Sequence, residues 1–191
     1  IRDRDAFVKS IRNHKPVPVT LEDGVAGVEF HSVLQSNFNP IDGSLMQTIA
    51  ETLSFVKDQG YKGMVISSDA THFSAGANLQ FIRGLNREEL ADFLVDFQQA
   101  IEFVRLAPFP VVAALSGLCL GGGCEFAFAA DQRVVMAETR LGLVEAGVGL
   151  LPSGGGIAHM ARTQSGSNLC AVHRAIATGL MCDNAFEAQK K

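Results

Sequence analysis

The sequence has little of what marks a secreted scaffold, a metal protein, a nucleic-acid binder or a membrane anchor. Its four cysteines, Cys119, Cys124, Cys170 and Cys182, show neither CxxC pairing nor the density of a disulfide-stapled domain. Three of them stand among Leu, Gly, Ala and Phe, where a free cysteine serves as a small apolar filler. The five histidines, His14, His31, His72, His159 and His173, are scattered without metal-ligand spacing, so no metal site is expected. Only His72 lies near a segment of functional character, and a loop or packing role is expected for it. No apolar run approaches the roughly 20 residues that cross a bilayer. Ile1-Arg2-Asp3-Arg4-Asp5 is charged where a signal peptide needs an apolar core. With a net charge of −4 and scattered Lys and Arg, no basic stripe is available to neutralise phosphates, which excludes nucleic acid as a partner. A soluble, cytoplasmic protein without membrane contact is the expectation.

What the sequence does hold is core. Of its 191 residues 47% are hydrophobic and 19% charged, enough apolar surface for one folded domain. Residues 1–16 are polar, end in Lys15-Pro16, and read as a leader or a linker, so the globular part is placed at 17–191. Val17–Leu21 and Val25–Phe30 flank Glu22-Asp23-Gly24, a hairpin signal, and a polar loop follows over His31–Pro40. Leu45, Ile49, Leu53 and Val56 recur at helical spacing from Asp42, with Gly60 as the stop before a strand at Met64-Val65-Ile66. A second helical pattern runs through Leu90, Leu94, Phe97, Ile101 and Val104 until Pro108 and Pro110 end it. A strand Val111–Leu115, a turn over Ser116–Gly123, a short helix Cys124–Ala130 and a strand Arg133–Ala137 complete the pattern. Apolar strands alternating with helices indicate an α/β fold.

Three segments could carry chemistry. Gly121-Gly122-Gly123 lies between strand and helix, where an amide points outward at the positive end of the helix dipole and attracts negative oxygen. The run lacks the spacing of either nucleotide-binding glycine motif, and its plain alternative is a tight packing turn. Glu125 follows in the first helical turn, a favourable place for any carboxylate, yet its neighbours Leu120, Phe126, Ala127 and Phe128 are apolar. Glu145, twenty residues on, is isolated in another apolar, glycine-rich stretch. Brought together, the two would supply an acid and a base. Phe73-Ser74-Ala75-Gly76-Ala77-Asn78 again presents amides near a strand end, or is an ordinary connecting loop.

Together these segments resemble the crotonase superfamily, the enoyl-CoA hydratase/isomerase family, from about Val17 to about Gly156. Phe73–Ala77 is similar to its FxAGAD loop, Gly117–Glu125 to its GxxLGGGCE motif, and Val144–Gly156 to its PExxxGxxPxxGG segment, in the same order. The resemblance implies a crotonase-like ββα spiral fold. It implies that the amides of Ala77 and Gly122 form an oxyanion hole for a thioester carbonyl, with Ser74, Ala75, Gly76 and Gly121 lining the bound substrate. It implies that Glu125 handles the water added at C3 and Glu145 supplies the proton at C2 of a trans-2-enoyl-CoA. No metal or redox cofactor is required, coenzyme A being part of the substrate. A homotrimer is implied, or a fused or partner 3-hydroxyacyl-CoA dehydrogenase, since Phe30-His31-Ser32 and Lys15-Pro16 resemble hydratase domains joined to that enzyme.

The sequence departs from the family at Asn78, where Asp is usual, at Val144, where Pro is usual, and over His31–Asn39, a loop that touches CoA in the family. Met160–Leu169 matches poorly, and only 35 residues follow Gly156, so the C-terminal helical part is expected to be shortened or missing. The leading expectation is a 2-enoyl-CoA hydratase of fatty-acid β-oxidation. A Δ3,Δ2-enoyl-CoA isomerase and a non-catalytic acyl-CoA-binding module stand as alternatives.

Overall fold

The computed structural model describes residues 19–21, 24–29, 32 and 37–189. The expected leader at 1–16 and half of the loop before the first helix, residues 31 and 33–36, lie outside the described residues. The hairpin forms as its residues dictate: β1 (Val19–Leu21) pairs antiparallel with β2 (Val25–Glu29), with Gly24 at φ +77 in the turn. Helix α1 spans Gly43–Asp58 and starts where Asp42 Oδ1 accepts from the amides of Ser44 and Leu45, both at 3.1 Å. Such a cap stabilises a helix by about 1 kcal/mol. Met46, Ile49, Leu53 and Val56 are buried along one stripe, each worth about 1.5–3 kcal/mol in removed apolar surface.

Strand β3 (Gly63–Ser67) lies parallel to β2, and β4 (Val111–Leu115) parallel to β3. Between them the sequence makes two helices: α2 (Leu79–Gly84) and α3 (Arg87–Arg105). The break falls at Asn86, whose side chain accepts from the amides of Glu88 and Glu89 while the Glu89 carboxylate accepts from the Asn86 amide, a reciprocal capping box. On α3 the buried stripe is Phe93, Phe97, Ala100, Ile101 and Val104; Leu90 and Leu94 lie at its margin.

The turn expected over Ser116–Gly123 contains a further strand, β5 (Leu118–Leu120), which leads into α4 (Gly122–Ala129). Then β6 (Gln132–Val135) closes the main sheet beside β4, and β7 (Arg140–Gly142) pairs parallel with β5. The main sheet has the order β1-β2-β3-β4-β6. A second, narrower layer is built from β5, β7 and the isolated bridges Ile41–Ala77 and Ser74–Cys119. Each turn of chain thus contributes one strand to the main sheet, one short pairing to the second layer, and a helix: the ββα spiral. Three helices follow Gly155, namely α5 (Gly156–Thr163), α6 (Ser167–Thr178) and α7 (Ala185–Ala188). Cys119 and Cys124 are buried as apolar filler, while Cys170 is exposed. Among the described residues no helix is long and apolar enough to cross a membrane.

Candidate active site

The second layer carries the site. The Ser74 amide donates to the Leu118 carbonyl and the Leu120 amide to the Ser74 carbonyl, so the Phe73–Asn78 loop is stitched to β5 immediately before the glycine run. Gly76 shows how close the two approach. It sits at φ +95, and a methyl group on it would lie 2.9 Å from the Leu120 carbonyl and 3.4 Å from the Gly122 nitrogen. From the other side, the Gly76 carbonyl accepts from Ile41 and the Phe38 carbonyl from Ala75. Among the described residues the amides of Ala77 and Gly122 have no protein acceptor, while the neighbouring amides of Asn78 and Gly121 donate to the Ile41 and Gly142 carbonyls.

Ser74 is fully buried, its hydroxyl accepting from the Gly76 amide at 3.1 Å, and it shapes the loop from inside. Ala75 and Gly76 continue that loop, and Gly121 faces Gly76 from the glycine run. His72 takes the loop role: its Nδ1 accepts from the Leu118 amide at 3.2 Å.

Glu125 is 2% exposed on the first turn of α4. Its Oε1 accepts from the amides of Gly154 at 2.9 Å, in the loop leading into α5, and Gly156 at 2.8 Å, the first residue of that helix. Burial pushes its carboxyl up to about 7 against the opposing pull of these amides, and the nearby Glu145 charge pushes the same way. Glu145 opens a 3-10 turn, Glu145–Val148, and rests over the glycine run: a methyl group on Gly121 would be 3.3 Å from its Oε1. Burial raises its carboxyl too, and among the described residues its buried Oε2 has no hydrogen-bond partner. A buried carboxylate oxygen without a donor is costly and marks a place where a ligand or water would bind. The fold therefore brings Glu125, Glu145, Gly121 and Gly122 together and sets the Ala77 loop against them. No group of three or more His, Cys, Asp or Glu is placed to hold a metal ion among the described residues.

Residues 20–188 match the model of the family described as enoyl-CoA hydratase/isomerase. The chain belongs to that family. As a member of it, the chain is 31% identical over 146 residues to the fatty acid oxidation complex subunit alpha of Psychrobacter cryohalolentis, covering 74% of this chain and 20% of that protein. It is 35% identical over 142 residues to a Bacillus subtilis protein named probable 3-hydroxyacyl-CoA dehydrogenase, covering 72% of this chain and 17% of that one. It thus spans about a fifth of the length of these relatives. The solved structure of an enoyl-CoA hydratase from Thermoplasma volcanium has the same fold, with a TM-score of 0.84 at 20% identity over 94% of this chain and 70% of the other.

Two supports of this site escape sequence reasoning. The amides of Gly154 and Gly156 that hold Glu125 sit in a segment legible only as a motif, with nothing to say which group they face. Asn39 lies in the loop that departs from the family, yet is fully buried at φ +47. Its Nδ2 donates to the Phe73 carbonyl at 2.7 Å and to Ser68 Oγ at 3.1 Å, tying that loop to the Ala77 segment. The available signal was residue type alone, since Asn tolerates the left-handed region better than most residues do.

Proposed function

We propose that this chain hydrates trans-2-enoyl-CoA thioesters to 3-hydroxyacyl-CoA. The observation that carries the reading is the pair of buried carboxylates above the glycine run, one anchored by two amides and the other with an unpartnered oxygen. An isomerase needs one acid–base group, whereas adding water across a double bond uses two. The amides of Ala77 and Gly122 would receive the thioester oxygen, which gains negative charge as water adds at C3. Each donor of this kind is worth about 10²–10³ in rate.

Glu125, held through Oε1, keeps Oε2 to orient the water and take its proton as oxygen bonds to C3. Glu145 gives its proton to C2, and C2 and C3 keep only their single bond. One proton enters the pair as another leaves, so the site returns to its starting charge. The raised carboxyls support this, because two close buried acids favour a state in which one is ionised and one is not.

Fatty-acid β-oxidation is the proposed setting, supported by the name of the Psychrobacter relative. The product is a secondary alcohol suited to a 3-hydroxyacyl-CoA dehydrogenase, which we place on the same polypeptide or as a partner in view of the Bacillus relative's name. The test is crotonyl-CoA with the purified protein, following loss of the conjugated thioester absorbance, alongside Glu125→Gln and Glu145→Gln. Turnover unchanged in either variant would overturn the assignment. Activity on a 3-enoyl-CoA but none on the 2-enoyl substrate would make the chain an isomerase, and thioester binding without turnover would make it a binding module.

A further inference from the structure

Helix α3 contributes no polar group to the site, yet one of its side chains touches both halves of it. Phe97 is 3% exposed, and the rim of its ring lies against two glycines that belong to different segments. A methyl group on Gly122 would be 2.9 Å from Phe97 Cζ, and one on Gly154 would be 2.5 Å from Phe97 Cε1. Gly122 opens α4 with an amide that has no acceptor among the described residues, and the Gly154 amide holds Glu125 Oε1 at 2.9 Å. Spaces this small mean that the ring faces each glycine with no room for a side chain between them. The ring is itself held, stacked on Phe93 with centroids 6.3 Å apart and tilted against Phe126 at 5.9 Å. The next residue ties α3 to the same loop, Gln98 Nε2 donating to the Ser153 carbonyl at 2.7 Å.

We propose that Phe97 is a positioning residue, a rigid spacer that sets the distance between the Gly122 amide and the Gly154-anchored carboxylate of Glu125. The inference rests on the hydratase reading for its chemistry and deepens it. A flat ring in a fixed stack is stiffer than any aliphatic side chain of similar volume. A misplacement of about 1 Å in such a site costs about 10²-fold in rate, so a partial loosening should cost roughly tenfold. Substrate binding draws on the whole CoA molecule and should change little.

The experiment compares Phe97→Leu with Val104→Ala, which removes buried volume from the same helix but touches neither glycine and neither ring of the stack. Both variants lose stability. Phe97→Leu is expected to lower kcat on crotonyl-CoA about tenfold with KM within about twofold. It is also expected to weaken the downshift of the thioester carbonyl stretch in bound butyryl-CoA, read by difference infrared spectroscopy. Val104→Ala should do neither. A full carbonyl downshift in Phe97→Leu, or the same losses in Val104→Ala, would overturn the proposal; Phe97→Met takes its place if the leucine variant does not fold. Wild-type protein that polarises butyryl-CoA but fails to hydrate crotonyl-CoA removes the hydratase reading alone, leaving the spacer to be judged on the carbonyl shift. A wild type with bound butyryl-CoA and no downshift removes both.

Discussion

Glu125 and Glu145 are the same residue type, twenty positions apart, and the fold treats them differently. Glu125 is nearly inaccessible, on a regular helix, with one oxygen accepting from two amides of a distant segment. Glu145 is half-buried, on a single 3-10 turn, with one oxygen buried and unpartnered among the described residues. Fixing a carboxylate through one oxygen leaves the other in a defined direction, which suits orienting a water. Leaving a carboxylate oxygen without a donor keeps it receptive to a proton, which suits delivering one. Local environment, not residue identity, separates the two roles.

The largest effect expected from breaking this contrast is on turnover. Glu125→Gln keeps an oxygen for the amides of Gly154 and Gly156 but cannot take a proton, and kcat should fall by about 10²–10⁴. Glu145→Gln should fall within the same range, and a loss in only one variant would show that one carboxylate suffices.

The second effect is on stability and depends on pH. Glu125 has its folded carboxyl at about 7 against an ordinary value of 4.5. Between those values the folded state binds more protons than the unfolded one, so this group destabilises the protein progressively as pH rises. Glu125→Gln should therefore be more stable than wild type at about pH 8, by up to about 3 kcal/mol, and the gap should close by about pH 4. Denaturant melts of both proteins across that range would show it.

Gly154→Ala tests the anchor itself. The added methyl would meet Phe97 Cε1 and Ile101 Cδ1 at 2.5 Å and Glu125 Oε2 at 3.0 Å. Overpacking of this kind costs about 1–3 kcal/mol, measurable by thermal unfolding, and should cost activity as well. The smallest effect is electrostatic. Because the Glu145 charge pushes the Glu125 carboxyl up, residual activity in Glu145→Gln should have its acid limb displaced to lower pH; an unmoved limb would mean that the two groups do not sense each other.

The order of strands and helices was legible because each is written in a local period. Ile49, Leu53 and Val56 mark α1, and Val111–Leu115 is one apolar strand between breakers. The glycine run, Glu125, Glu145 and the Phe73–Asn78 segment were legible through motif and through the oddity of acids among apolar neighbours. What was hidden is short or non-local. Strands β5 and β7 are three residues each, too brief for a period of two to register, and they exist because they pair with each other. The break at Asn86 rests on a reciprocal side-chain cap.

The sequence by itself determined which residues could do chemistry and in what order the chain presents them, because residue type and local spacing are properties of neighbours. Only the tertiary structure decided that Glu125 takes its hydrogen bonds from Gly154 and Gly156, that the Glu145 carboxyl rests over Gly121, and that Phe97 lies between two glycines 32 positions apart. Each of these is a contact between segments distant in the chain, and the spiral's second layer is what brings them within bonding distance.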